Sequence, residues 1–252
     1  MPTTRMIKLH DGLVVWPEYK PLADCLALKE TTPDYIWEST YQGSSNPTRA
    51  TAVFRREWWT GMLNRYNPET VLRPVARFIS LDTASGEKDT AAYTAWTVGD
   101  MLPDYRLAIR EMGRKHLDMP DLVKQIEQLY RIYAPGVHSC SIIIEDKSSG
   151  TGALQTLRKA STTSIPSAAL VGYVPKVDKP TRWARAAVWC NLGCVLLPPP
   201  GADYPWLFDA EEELFNVPNA RFLDQADSFA QLILSTEQYL SAGHNARSAK
   251  KE

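Results

Sequence analysis

The spacing of hydrophobic residues changes along the chain. Over residues 1–72, short apolar runs such as GLVVWP and FRREWW are separated by Pro, Asn, Ser and Gly clusters, without a sustained strand or helix period. After Pro74 the pattern sharpens into ARFISLD, AAYTAWTVG and DYRLAIREMGR, which predict three consecutive strands. Between Pro120 and Tyr133, apolar residues recur every three or four positions, which predicts an amphipathic helix.

The second half of the chain alternates strands and helices. SIIIED predicts a buried strand that ends on two acids, and SSGTGALQTLRKA and SAALVGYV predict a helix and a further strand. We then expect a helix from about Pro180 to Leu192 and a short strand to Leu197. WLFDAEEELFN and FLDQADSFAQLILSTEQYLSA predict two closing helices, the second of them long. This order predicts an α/β fold with an antiparallel front half and a mixed sheet.

Composition narrows the setting. The chain has 252 residues, a formal net charge of −1 and four scattered cysteines, so neither a strongly basic protein nor a disulfide scaffold is indicated. It contains no apolar run long enough for a membrane span, and MPTTRMIKLHDG has no apolar segment after its positive charges. We therefore expect a soluble, unprocessed protein of a reducing cytosol, with no membrane partner.

Carboxylates stand at the ends of predicted elements on three distant segments. Asp82 ends the first strand of the meander, Glu145 and Asp146 end SIIIED, and Asp224 and Asp227 lie one turn apart in the last long helix. If the strands that carry Asp82 and Glu145 are neighbours, their ends converge and the helix can bring Asp224 over them. Because an ionised carboxylate is costly to bury alone, a positive group is expected there.

Hard divalent cations are the natural counterions of such a cluster. Mg²⁺ takes oxygen ligands and retains waters, and a pair of such ions can hydrolyse a phosphodiester. For each acid a structural role stays open, since Asp82 at a strand end can cap a helix or face solvent, and Asp227 on a helix can simply be solvated.

The residues also resemble a known family. FISLDTASGEKDTAAYTAWTV and IIIEDKSSGTGALQTLR are similar to the first and second nuclease motifs of the large terminase subunit of tailed bacteriophages. VPKVDKPTRWARA, CVLLPPPGADYPWLFDAEEELFNVP and FLDQADSFAQLI resemble three later stretches, in the same order. The resemblance runs from about Pro74 to Leu234 and implies an RNase H-like mixed β-sheet with helices on both faces, preceded by an N-terminal linker or appendage.

The resemblance implies a metal-dependent endonuclease that cuts concatemeric viral DNA during genome packaging, with little sequence specificity. Carried over residue by residue, the metal-binding and catalytic acids are Asp82, Glu145 and Asp224, with Asp227 as a further metal ligand. Asp146 and Lys147 are accessory residues near the site. Mg²⁺ or Mn²⁺, as two ions, is the implied cofactor. The chain departs from many relatives where Leu223 precedes Asp224, which leaves the number of ligands at the second ion open.

The resemblance also implies partners and domain limits. No G-x-x-x-x-G-K-[ST] loop occurs, so no ATP site is expected in this chain, and GSSNPTRA does not replace it. Residues 1–72 resemble the end of the family's ATPase region, 73–241 form the nuclease domain, and 242–252 a flexible tail. Either a fragment of a longer protein or a separately encoded nuclease half fits this pattern. Implied partners are double-stranded DNA, the ATPase part of the motor, the small terminase subunit and the portal, in the host cytoplasm.

Positive charge is concentrated in one region. Between Lys147 and Arg185 the sequence has seven basic residues and a single acid, Asp178. Such a surplus predicts contacts to DNA phosphates, although an exposed, solvated helix face would look similar. The candidate DNA-binding residues are Lys147, Lys176, Lys179, Arg182 and Arg185.

Two alternatives to a terminase nuclease stay open from sequence. One is another RNase H-like nuclease, such as a junction resolvase, which would prefer branched to linear DNA. The other is a non-catalytic docking module for the motor or portal, whose acids form a charged surface and bind no metal.

Overall fold

The computed structural model divides the chain into two compact units, Met1–Ala52 and Val53–Glu252. The structure describes residues 9–10, 13–14, 20–31, 52–67, 73–83, 93–147, 149–160 and 163–249. The predicted connector after Asp82 lies largely outside these residues, as does the GSSNPTRA segment. In the first unit, strands β1 (Leu9–His10) and β2 (Leu13–Val14) pair antiparallel and precede helix α1 (Leu22–Thr31).

A six-stranded sheet organises the second unit, in the order β7-β6-β3-β4-β5-β8. Only β4 runs antiparallel to its neighbours β3 and β5, while the pairs β3–β6, β6–β7 and β5–β8 are parallel. The predicted meander and mixed sheet are confirmed. The strands are β3 (Ala76–Asp82), β4 (Thr94–Met101), β5 (Leu107–Lys115), β6 (Cys140–Glu145), β7 (Leu170–Tyr173) and β8 (Val195–Leu196).

Helices cover both faces of the sheet, as the resemblance implies. One face packs against α2 and α3 through a core that includes Ile79, Ile126 and Leu154. The other packs against α4, α5, α6 and α7 through a larger core that includes Phe78 and Phe229. In the described part of the chain, no helix is long and apolar enough to cross a membrane. The helices are α2 (Met119–Tyr133), α3 (Ser149–Lys159), α4 (Lys179–Asn191), α5 (Leu207–Leu214), α6 (Asp224–Ser235) and α7 (Glu237–Ser248).

Strand alternation decides which face each acid joins. In β3, Ile79 and Leu81 point into the core under α2 and α3, so Asp82 points to the opposite face, which α6 covers. In β6, Ile144 belongs to that same core, so Glu145 also points towards α6. Because Leu81 pairs with Ile144 in parallel register, the two acids lie side by side at the strand ends.

The last predicted helix is broken in two, which corrects the sequence interpretation. The Thr236 hydroxyl donates to the Leu232 carbonyl at 3.0 Å, and Thr236 ends α6 with a non-helical backbone (φ −106°). Such a side-chain bond competes with the helical backbone, and propensity alone did not reveal it. Helix α7 then extends to Ser248, into the predicted tail, where the Arg247 guanidinium donates to the Asp104 carbonyl.

Residues 53–67 belong to the same compact unit as the sheet, although the sequence boundary was drawn at 72/73. The Trp59 indole donates to the Val195 carbonyl at 3.1 Å, and its ring lies 5.8 Å from that of Phe215. Trp59 is fully buried and packs into the core of the second unit, whereas Trp58 is partly exposed.

We expect Trp59→Ala to lower the free energy of unfolding by about 3–5 kcal/mol, because it removes a large buried ring and leaves a cavity. Chemical denaturation followed by circular dichroism measures this. Trp58→Ala is the matched control and should cost clearly less. Equal losses for the two variants would contradict the assignment of this segment to the core of the second unit.

Candidate active site

Acids from three elements meet on the α6 face of the sheet. Asp82 and Glu145 come from the ends of β3 and β6, and Asp227 comes from the first turn of α6. Asp227 is 1% exposed, and the Glu145 side chain is 13% exposed. The sequence analysis expected Asp82 and Glu145 to converge with Asp224; the acid that the structure places with them is Asp227.

The cluster carries more negative charge than its surroundings readily accept. Burial, then the carboxylates of Asp227 and Glu145, raises the pKa of Asp82 to about 7, while Lys179 opposes the rise. Burial likewise raises the pKa of Asp227, against the attraction of Lys179 and Arg182. Ionising all three acids together is therefore costly unless a further positive charge is present.

Helix α4 supplies the positive groups that the sequence led us to expect. Lys179 donates from Nζ to Asp227 Oδ2, and Trp183 donates from Nε1 to Asp227 Oδ1 at 2.9 Å. Arg182 Nη1 lies 3.7 Å from Glu145 Oε2. Arg182 and Trp183 follow Lys179 by three and four residues, so one side of α4 presents all three to the acids.

Arg182 is buried, with 3% of its surface exposed. Its Nε and Nη1 atoms have no hydrogen-bond partner among the described residues, an unusual state for a buried guanidinium. Arg182 therefore belongs to the interior of the site rather than to a solvated helix face.

Asp224 lies at the edge of the cluster. It is partly buried, and burial raises its pKa, as Asp227 does, while Lys179 and Arg114 lower it. The carboxylates that act on Asp82 are those of Asp227 and Glu145. The structure thus brings Asp227, expected as an additional ligand, closer to the centre of the cluster than Asp224.

Asp146 points away from the cluster, and Lys147 is exposed beside it. Asp146 is exposed and accepts a hydrogen bond from Thr151 Oγ1 at 2.7 Å, beside the start of α3. A β-carbon added at Gly172 would lie 3.2 Å from Asp146 Oδ2, so this carboxylate rests on β7. Lys147 is exposed, and its backbone N–H donates to the Glu145 carbonyl at 2.8 Å.

The five candidate DNA-binding residues lie in different environments. Lys179 and Arg182 face the acids, as described above, and Arg185 pairs with Glu237 Oε2 at 2.8 Å. Lys147 and Lys176 are exposed, and neither forms an ion pair within the described part of the chain.

The donor chemistry of the trio fits a hard divalent cation, because it offers carboxylate oxygens under mutual repulsion. Across the described residues, however, no group of three or more His, Cys, Asp or Glu side chains is arranged to hold a metal ion as it stands. The Lys179 ammonium supplies positive charge at this position, through its bond to Asp227 and its attraction for Asp82.

Sequence reasoning missed two contributors. The Trp183 indole fixes Asp227, and its position four residues after Lys179 could have indicated this. The buried Glu213 bonds the start of α6 from α5, and no pattern in the sequence distinguishes it from its acidic neighbours Glu211 and Glu212.

No protein-family model and no curated protein matches this chain. Solved structures do. The large terminase nuclease of thermophilic phage G20c with bound magnesium is 16% identical, over 68% of this chain and 84% of that one, with a TM-score of 0.44. The human cytomegalovirus terminase nuclease domain is 12% identical, over 73% of this chain and 92% of that one, with a TM-score of 0.49.

The yeast mitochondrial Holliday junction resolvase is 15% identical, over 70% of this chain and 87% of that one, with a TM-score of 0.42. The chain is structurally similar to phage and cytomegalovirus terminase nuclease domains. Because these identities are below 20% and these TM-scores are below 0.5, an activity can be inferred only from the residues of this chain.

The raised pKa of Asp82 predicts a pH-dependent stability of the metal-free protein. The folded state keeps this proton up to about pH 7, whereas the unfolded chain releases it near its ordinary, lower pKa. Folding therefore takes up protons in this window, and the contribution of Asp82 to the free energy of unfolding falls as pH rises from about 4 to 7.

We expect Asp82→Asn to stabilise the chelator-treated protein by about 1–3 kcal/mol at pH 8 and to leave it nearly unchanged at pH 4. Urea denaturation at several pH values measures this difference. Asp146→Asn is the control, since its exposed carboxylate lies outside the cluster. A gain at pH 4 as large as that at pH 8 would contradict the assigned burial and repulsion.

Proposed function

We propose that this chain is a divalent-metal-dependent endodeoxyribonuclease. The observation that carries the proposal is the meeting of Asp82, Glu145 and Asp227 on one face of the sheet, with negative charge in excess. A structural cluster of this kind would be expected to bury neutral or fully paired groups instead. Carboxylates kept together at a cost indicate a functional site.

Asp82, Glu145, Asp224 and Asp227 are the proposed ligands. Mg²⁺ or Mn²⁺, as a pair of ions, supplies an acidic bound water and positive charge opposite the leaving oxygen of a phosphodiester. Neighbouring residues hold these carboxylates in place. Trp183 orients one oxygen of Asp227, and burial holds Asp82 with little freedom. Loading requires ionised Asp82, so binding releases its proton near neutral pH.

The basic residues have different proposed roles in DNA binding. Lys147 and Lys176 are the proposed contacts to the phosphate backbone, because both are exposed and unengaged by acids in the described part of the chain. Lys179 and Arg182 act at the acids themselves, where they limit repulsion and can meet the phosphate that is cut. Arg185 is held by Glu237 and contributes at the margin.

For the biological role, we propose cutting of concatemeric viral DNA during genome packaging in the host cytoplasm. Support comes from the five stretches that resemble terminase nuclease motifs, in order, between about Pro74 and Leu234. The ATPase part of the motor, the small terminase subunit and the portal are the proposed partners.

We expect Asp82→Asn and Glu145→Gln to reduce Mn²⁺-dependent nicking of supercoiled plasmid by about 100-fold or more, because each removes a metal ligand. Asp146→Asn is the matched control and should keep most of the activity, since its carboxylate faces Thr151. Initial rates on agarose gels, with folding checked by circular dichroism, measure the effect.

Persistent cutting by Asp82→Asn would reject the proposed site. A protein that neither cuts DNA nor gains thermal stability on addition of Mn²⁺ would instead be a docking module. Strong preference for four-way junctions over linear duplex would favour a resolvase over a terminase nuclease.

We expect Lys147→Ala and Lys176→Ala each to weaken binding to duplex DNA and to lower the slope of log affinity against log salt by about 1, because one phosphate contact is lost. Fluorescence anisotropy in the presence of a chelator separates this effect from cleavage. Lys124→Ala serves as control, because Lys124 pairs with Asp121 in α2. An unchanged slope in both test variants would exclude these lysines from the DNA path.

A further inference from the structure

Helix α6 carries two of the proposed ligands in its first turn but lacks a cap of its own. It begins at Asp224, and its N-cap residue, Leu223, has no side-chain oxygen to accept a bond from the first turn. The first backbone N–H groups of any helix have no partner within it. In this buried turn they need acceptors from elsewhere in the fold.

Glu213 of α5 supplies that acceptor. Its Oε1 accepts a hydrogen bond from the Ala226 N–H at 2.9 Å. Its Oε2 accepts from Gln225 Nε2 at 3.2 Å. Ala226 and Gln225 are the two residues between Asp224 and Asp227, so one carboxylate holds the turn that carries both acids.

The carboxylate of Glu213 is in turn fixed by β5. Arg114 donates from Nη1 to Glu213 Oε2 and from Nη2 to Asp209 Oδ1 at 2.9 Å. The Arg114 guanidinium also lies 4.4 Å from the centre of the Phe222 ring, just before α6. Glu213 is only 4% exposed, so this ion pair is shielded from solvent and sensitive to the loss of either partner.

We propose that Glu213 is a positioning residue, which sets the place of Asp224 and Asp227 relative to β3 and β6 by capping α6 from outside the helix. The inference rests on the proposed function, because it assigns Glu213 to the same metal site. Arg114 belongs to β5, in the sheet that carries Asp82 and Glu145, and it pairs with Glu213. The start of α6 is therefore held in place relative to that sheet.

The physical reason lies in how a helix end is held. Since α6 has no cap of its own, the loss of Glu213 leaves the Ala226 N–H without its acceptor and allows the first turn to fray. A frayed turn moves Asp224 and Asp227 together while leaving the core residue Phe229, in the next turn, packed in place. Metal affinity should therefore suffer more than global folding.

Glu213→Gln is the decisive variant. It keeps the length of the side chain, but an NH2 group replaces one of the two oxygens that together accept three hydrogen bonds, and the charge opposite Arg114 is lost. The matched control is Glu212→Gln, an exposed neighbour in α5. We expect Glu213→Gln to bind Mn²⁺ about tenfold more weakly by titration calorimetry, the scale on which ligand-orienting residues act. The control should bind as the wild type does.

Two further readouts separate positioning from general destabilisation. In the metal-free protein, hydrogen exchange at the Ala226 amide should accelerate in Glu213→Gln, whereas exchange in β3 should stay at the wild-type rate. In plasmid cleavage, kcat should fall while KM for DNA stays the same, because Glu213 bonds Arg114, Gln225 and Ala226, none of which is a proposed DNA contact. Wild-type Mn²⁺ affinity with wild-type exchange at Ala226 would overturn the inference.

If Glu213→Gln does not fold, the double variant Arg114→Met with Glu213→Met replaces the buried pair by apolar groups of similar volume. Weak Mn²⁺ binding by the folded double variant supports the inference, and wild-type binding overturns it. Failure of both variants to fold also overturns it, since Glu213 would then serve folding itself. Failure of the proposed function is distinct, because the wild type would then bind no Mn²⁺.

Discussion

Charge balance among Asp82, Glu145 and Asp227 is the constraint on which the site depends. The strands bring two carboxylates to adjacent positions, and α6 adds a third where little water remains. Lys179 and Arg182 offset part of the repulsion, yet the pKa of Asp82 stays raised to about 7. The arrangement is stable because a large apolar core holds α4 and α6 in place. The remaining negative charge favours the binding of a further cation.

Helix α6 serves both the core and the site. Phe229 packs into the larger core, while buried polar groups on α6 bond the sheet directly. Gln231 Nε2 donates to the Leu81 carbonyl at 3.1 Å, and the Ser228 hydroxyl lies 2.8 Å from that of Thr97. The Gln231 bond reaches the backbone one residue before Asp82. The distance between α6 and the end of β3 is therefore set by hydrogen bonds as well as by packing, which a site built from several elements requires.

The proposed nuclease site accounts for several features of the molecule together. Two strand ends and one helix supply oxygen ligands, a second helix supplies cations, and Lys147 and Lys176 offer exposed charge along the same chain. The formal net charge of −1 conceals this local separation of acids and bases. Non-specific DNA contact needs only such a local surface, because phosphates are attracted without regard to sequence.

Sequence alone determined the order of strands and helices and the acids that end β3 and β6, because hydrophobic period and strand alternation are local properties. It also indicated that positive groups would lie near Glu145. Only the tertiary structure decided that Lys179 meets Asp227, that α6 ends at Thr236, and that Glu213 caps α6. The contacts of Lys179 and Glu213 join residues from separate elements, and the Thr236 hydroxyl bonds a backbone carbonyl. The geometry of these contacts is fixed only when the sheet and helices have packed together.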